Sequence, residues 1–391
     1  MSEPSSTYLD HGATTPLRPE VAHAMVAARS QPLGNPTGSH RPAQRARRLL
    51  EESRDEVAAQ LGREPGEIIF TSGGTESANL AVFGALGDAV RNGRSAEVLS
   101  SAVEHPAVRQ SCRAAARWPA VTWRELPVDG TGSVDVDALA GLLSGETALV
   151  AVMLANNETG VVQPLRRVAD AVRERTGTAR IFTDAVQAAA FSDLAETTSG
   201  ADLVALSAHK LGGPVGTGAL AVRPPTDIAP RQYGGGQERE RRSGTQDVVG
   251  AVGLAVALRL AAAERSEAAG RVSDLRDRLA AGLTATIPDL YRTVPPGVDV
   301  LPGHLHLCLR GIEREELLFG LSERGVCASG GSSCASGALE ASYVLAAMGV
   351  PDELARGAIR FTLGHDTTGA DIDRALAIVP GVVASLRSHR P

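Results

Sequence analysis

Apolar and polar residues follow two alternating rhythms along this chain. Over residues 44–61 the apolar positions recur at helical spacing, with Arg and Glu on the opposite face, which predicts an amphipathic helix. A short apolar run at 67–71 predicts a strand, followed by a Ser-Gly-Gly-Thr turn and a helical stretch over 76–86. The succession continues with a strand at 148–154, a helix at 165–176 and strands at 180–183, 202–207 and 218–222. Two helical patterns follow, at 248–269 and 271–283. Around 288–302 the chain turns rich in Pro, Gly and Asp, then resumes with an alternating strand at 304–309 and a closing helix at 371–386. Strands and helices in alternation predict an α/β protein on a largely parallel sheet. The break near 288–302 predicts a domain change into a smaller α+β unit.

Length and composition narrow this picture. At 391 residues the chain exceeds what one small core needs. Its 43% hydrophobic and 21% charged residues suit an ordinary soluble globular protein. The longest apolar runs, 148–155 and 248–258, fall short of the roughly 20 residues a membrane helix needs. The first residues lack the basic and apolar regions of a secretory signal, so secretion is not expected. A net charge of −6 advertises no basic surface for nucleic acid or anionic membrane. Cysteines at 112, 308, 327 and 334 form no CxxC pair, which argues against a structural zinc or iron–sulfur site. A reducing, cytoplasmic setting is expected.

One count changes the reading. Of the 39 basic residues all but one are arginine; the single lysine is Lys210. Arginine replaces lysine in salt bridges and phosphate contacts, but its guanidinium cannot shed a proton and condense with a carbonyl. A retained amine therefore suggests a Schiff-base lysine. It sits in Ser207-Ala208-His209-Lys210, just past a predicted strand and before Gly212-Gly213-Pro214.

Its company points the same way. The turn Ser72-Gly73-Gly74-Thr75 between strand and helix reads either as an ordinary N-capped turn or as an anion site built from helix N–H groups and the Thr75 hydroxyl. Asp184 ends the strand at 180–183, where ligands gather in open α/β sheets. It is either a helix N-cap or the partner of a protonated heterocyclic nitrogen. Phosphate-type turn, acid and lone amine together indicate a pyridoxal-phosphate site. His105 is a solvated loop residue or a ring-stacking proton carrier. Cys334 lies within ten small residues, 328–337, in contrast to Cys308 in an apolar strand and Cys112 on a helix. That setting predicts a mobile loop carrying an accessible thiol.

The motifs YLDHGATTP (8–16), GNPTGSH (34–40), FTSGGTESANLA (70–81), VEHPAV (103–108), ANNETGVVQP (155–164), TDAVQA (183–188), SAHKLGGPVGTGAL (207–220), GGGQERERRSGTQD (234–247), SGGSSCASG (329–337) and IRFTLG (359–364) occur in this order. In that combination the chain resembles the NifS/IscS-like cysteine desulfurases of group I, a branch of the class V aminotransferases on pyridoxal-phosphate fold type I. The resemblance implies a large cofactor-binding domain over 15–260 with a mainly parallel seven-stranded sheet. It also implies a small α+β domain from 1–14 and 261–391, carrying a catalytic cysteine loop at about 326–340.

By position it makes Lys210 the Schiff-base lysine, Asp184 the partner of the pyridine nitrogen, and His105 the ring-stacking proton carrier. Gln187 and Asn157 would bond the phenolic oxygen or hold substrate. Gly74, Thr75, Ser207 and His209 would hold the phosphate, with Thr245 contributed across a homodimer interface. Arg360 would clamp the substrate carboxylate, with Asn35 nearby, and Cys334 would be the nucleophile. The implied activity converts L-cysteine to L-alanine and a Cys334 persulfide for transfer to an acceptor. A selenocysteine lyase or a sulfur-relay binding protein on the same fold are the alternatives. Tyr233 stands where a His is often found, with little expected effect. The chain stops at Pro391, short of the tail by which housekeeping members engage an iron–sulfur scaffold. DNA phosphorothioation, tRNA thiolation and thio-metabolite synthesis are therefore open destinations beside iron–sulfur assembly.

Overall fold

The computed structural model describes residues 6–331 and 342–388. The chain enters through a two-residue strand, β1 (Thr7–Tyr8). Seven strands follow: β2 (Ile68–Thr71), β3 (Ala96–Ser101), β4 (Val121–Leu126), β5 (Thr147–Ala151), β6 (Arg180–Asp184), β7 (Leu203–Ser207) and β8 (Gly218–Val222). They form one sheet in the order β2-β8-β7-β6-β5-β3-β4. Only the two pairings of β8, with β7 and with β2, are antiparallel, so β2 runs parallel to the other strands. The C-terminal ends of β2, β3, β5, β6 and β7 therefore open onto one edge, the usual ligand edge of such sheets.

Burial explains why these segments are strands. β2, β3, β7 and β8 are buried at every position, as expected where helices cover both faces of a sheet. One face packs against helices Arg41–Leu61 and Leu165–Arg175 and the first part of Val248–Thr286; the other takes Gly74–Arg91 and Pro106–Ala115. Edge strand β4 is buried only at its two ends.

A second sheet, in the order β12-β10-β9, is antiparallel: β9 (Leu290–Arg292), β10 (His304–Leu309) and β12 (Ala358–Thr362). β11 (Val326–Cys327) pairs in parallel with β1. The two helices expected at 248–269 and 271–283 are one continuous helix, Val248–Thr286, of 39 residues. Asp247 caps its start by accepting from the Gly250 N–H at 2.9 Å. No proline interrupts it, and Gly270 costs only about 1 kcal/mol relative to alanine in a helix interior. The pattern looks broken because the helix changes partner. Leu254, Leu258 and Ala261 belong to the large-sheet core, whereas Val272, Leu279 and Leu283 belong to the core of the second sheet.

Buried histidines make the second sheet sensitive to acid. His304 and His306 on β10 are each pushed down to about 3, first by burial and then by the Arg360 guanidinium. In the unfolded chain both take up a proton near pH 6.5, so stability is fully present above that value and drains away toward pH 3. Each contributes about 1.4 kcal/mol per pH unit within this window. Urea unfolding at pH 7.0 and 5.5 checks this; an unchanged midpoint refutes it.

Candidate active site

The loops leaving the shared edge enclose a cavity of about 230 Å³. From the end of β2 come Gly74 and Thr75, which open the helix Gly74–Arg91. The first N–H groups of a helix have no intrahelical acceptor, so this end presents donors and positive dipole potential to the cavity. Gly73 turns the chain here with φ +145°. A Cβ on the neighbouring Gly218 would meet the Gly73 Cα at 2.6 Å, so the two backbones approach closely because both lack side chains.

The loop after β3 supplies His105. It caps helix Pro106–Ala115, its Nδ1 accepting from the Ala107 N–H at 3.1 Å. That bond leaves Nε2 as the nitrogen able to carry a proton. Burial lowers the His105 pKa, with Asp184 opposing. Beyond β5 come Met153, Ala155 and Asn157. The Asn157 Oδ1 is buried without a hydrogen-bond partner among the described residues, so this cavity wall has an unfilled acceptor.

Asp184 closes β6 and accepts from the Val186 N–H at 3.0 Å. Burial raises its pKa, while His105, the Val186 N–H and Lys210 favour the carboxylate. Gln187 follows, its Nε2 donating to the Gly12 carbonyl at 2.8 Å. Beyond β7, Ser207, His209 and Lys210 complete the lining. The His209 pKa falls to about 4 through burial and then Lys210. Lys210 Nζ donates to the carbonyls of Gly12 and of Ala13, the latter at 2.7 Å. Burial, then Arg360, bring its pKa down to about 8, with Asp10 and Asp184 opposing. An amine so placed spends an appreciable fraction of time neutral near pH 7, as a condensing nucleophile requires.

Of the residues singled out in the sequence, Gly74, Thr75, His105, Asn157, Asp184, Gln187, Ser207, His209 and Lys210 line this one cavity. Arg360, on β12, lies behind it: its Nη1 donates to the Asn157 carbonyl at 2.6 Å and its Nη2 pairs with Asp10 at 2.8 Å. Its Nε is buried without a partner among the described residues. Asn35 and Thr245 are exposed and do not line the cavity. The Asn35 Oδ1 is engaged by the Thr37 N–H and hydroxyl instead. Cys334 lies outside the described residues.

Sequence reasoning missed three contributors. The strap Asp10–Ala13 holds both Lys210 and Arg360, and only the motif around it hinted at a role. Glu104, adjacent to His105, is completely buried, and its carboxyl is pushed up to about 8 by desolvation. Glu158, adjacent to Asn157, is likewise buried and shifted upward by desolvation.

The family model for class-V aminotransferases matches residues 7–375. An IscS-like cysteine desulfurase of Mycobacterium tuberculosis is 41% identical over 387 residues, covering 97% of each chain. The cysteine desulfurase IscS of Dictyoglomus turgidum is 38% identical, covering 98% of this chain and 96% of its own. Among solved structures, a NifS-like protein superposes with a TM-score of 0.91 at 32% identity, covering 97% of this chain and all of that one. With its sheet, its cavity and these full-length likenesses, the chain belongs to the class-V aminotransferase family.

Proposed function

We propose that this chain is an L-cysteine desulfurase dependent on pyridoxal 5'-phosphate. The observation that carries the reading is Lys210: the only amine side chain in the sequence, half-buried in the cavity wall with its pKa lowered to about 8. The relatives' name, cysteine desulfurase, supports the substrate.

The residues present fit the cofactor. Lys210 would hold its aldehyde covalently, and the buried Asp184 would face its ring nitrogen. The Asn157 and Gln187 side-chain amides would donate N–H to its phenolic oxygen or hold the substrate, the unpartnered Asn157 Oδ1 accepting from an N–H or O–H there. Gly74, Thr75, Ser207 and His209 would hold its phosphate at the helix start, and His105 would lie against the ring. When bound, the cofactor serves as an electron sink for charge developing at the amino acid's Cα.

The chain's own groups do the rest. Arg360 has N–H groups to spare beyond its bonds to Asn157 and Asp10 and would hold the substrate carboxylate, with Asn35 assigned to the same carboxylate. Lys210 Nζ would accept the Cα proton, and His105 Nε2 would carry a proton to or from substrate. The Cys334 thiolate attacks the cysteine sulfur as the carbon–sulfur bond breaks, giving L-alanine and a Cys334 persulfide; one sulfur atom moves and the proton count closes. Thr245, exposed on its own protomer, would complete the phosphate site of the second copy in a homodimer. The persulfide would pass to an acceptor protein or thiolation enzyme in the cytoplasm. Among the described residues no helix is long and apolar enough to cross a membrane.

The test is direct. Cofactor-loaded protein given L-cysteine and a thiol reductant should release alanine and sulfide in equal amounts. Cofactor binding without turnover, even with an acceptor supplied, would turn the reading to a relay protein. Turnover of selenocysteine alone would turn it to a lyase.

A further inference from the structure

We infer that Tyr343 is a positioning residue for His105, acting through the peptide that joins Glu104 to His105. The inference rests on the proposed place of His105 beside the cofactor. The Tyr343 hydroxyl donates to the Glu104 carbonyl at 2.6 Å, and among the described residues no other donor reaches that oxygen. Burial raises the Tyr343 phenol, so the hydroxyl keeps its proton. The Glu104 side chain is fixed independently, its Oε1 accepting from the Ser101 hydroxyl at 2.6 Å and the Met153 N–H at 2.7 Å. With its carboxyl held from one side and its carbonyl from the other, the peptide plane ahead of His105 has one orientation.

Tyr343 is itself set in place. It opens the helix Tyr343–Ala347, whose cap Ser342 accepts from the Leu345 N–H and donates to Glu158 Oε2 at 2.6 Å. The Arg109 guanidinium lies 4.7 Å from the Tyr343 ring centroid and pairs with Glu125 at 2.7 Å. Arg109 belongs to the helix that His105 caps, so ring and hydroxyl grip the same element at two points. Losing the hydroxyl leaves a buried carbonyl unsatisfied and frees the peptide to rotate. The His105 backbone, now at φ −57° and ψ 145°, would then carry the imidazole away from its bonded position.

The full-length, cofactor-loaded Tyr343→Phe protein tests this. For L-cysteine kcat should fall about tenfold, equivalent to about 1.4 kcal/mol, with KM within about twofold, because His105 does not hold the substrate carboxylate. The visible circular dichroism of the bound cofactor should change as the group against its ring moves. Val344→Ala truncates a buried neighbour on the same short helix; it should lower Tm while leaving kcat and dichroism in place. Wild-type values in Tyr343→Phe would overturn the inference, as would the same losses in Val344→Ala. If the wild-type protein makes no alanine, the desulfurase reading fails, and the dichroism comparison alone then decides the role of Tyr343.

Discussion

Lys210→Ala protein is expected to lack the visible absorbance of the cofactor-bound form and to lose cysteine turnover by at least about 10⁴-fold. Removing a general base alone costs roughly 10² to 10⁴, and here the same side chain is also the covalent attachment point. No other residue can substitute, because every other basic side chain except histidine is a guanidinium. Lys210→Arg sharpens the test. It restores a positive charge near Asp184 and Asp10, yet arginine does not deprotonate in proteins, so absorbance and turnover should stay as low as in the alanine variant. The fold should survive both changes. The alanine variant leaves the Gly12 and Ala13 carbonyls without the Lys210 donor, a loss of a few kcal/mol at most, and the Gly12 carbonyl keeps the Gln187 amide. Borohydride reduction followed by peptide mass measurement should place the cofactor adduct of the wild-type protein on Lys210. Retained absorbance in Lys210→Ala would remove the central residue of the proposal.

Which parts of this architecture could be read in advance follows from how each segment is buried. The strands at 203–207 and 218–222 were legible because nearly every side chain in them is apolar, as complete burial demands, and the strand at 304–309 by its alternation of histidine or cysteine with leucine. The strands Ala96–Ser101 and Val121–Leu126 were not. Ala96–Ser101 buries Glu97, Ser100 and Ser101, and each finds a polar partner: Arg124 and Thr147 for Glu97, Trp123 Nε1 for Ser100, Glu104 for Ser101. Hydrophobic periodicity cannot register a core position filled by a satisfied polar group. The long helix misled for a related reason, since its apolar face serves one core and then another with no buried residue between Ala261 and Val272.

The cavity shows the same division. Lys210 stood out by composition, Asp184 by its place at a strand end, and Thr75 by the glycine turn that opens a helix. The bonds from Lys210 to Gly12 and Ala13 join positions nearly 200 residues apart, and Arg360 reaches Asp10 across 350. Only folding brings such partners together. Glu104 and Tyr343 were invisible for a different reason. Each contributes by fixing backbone, and the chemistry of the side chain says nothing about which carbonyl it will meet.

Replacing Cys334 with serine is expected to abolish persulfide formation and to cut alanine release from L-cysteine by about 10³-fold or more, while the cofactor spectrum stays as in wild type. A serine hydroxyl stays protonated at neutral pH and is a weak nucleophile toward sulfur, whereas a free thiol near pKa 8.5 has a ready thiolate fraction. Among the described cysteines, burial raises the pKa of both Cys112 and Cys308, which keeps them as inert thiols in the core. Cys334 itself lies outside the described residues. Gly331, three residues before it, lies against Glu158, where a Cβ would sit 3.3 Å from the Glu158 Cβ, and Ser342 bonds the same glutamate. Glu158 adjoins Asn157 of the cavity wall. Cys112→Ser and Cys308→Ser should therefore keep their persulfide, and selenocysteine, whose selenium leaves more readily, should still be turned over by Cys334→Ser. Mass spectrometry of protein quenched during cysteine turnover decides the matter. A sulfane sulfur found on the Cys112, Cys308 or Cys327 peptide, with alanine release intact in Cys334→Ser, would move the nucleophile elsewhere.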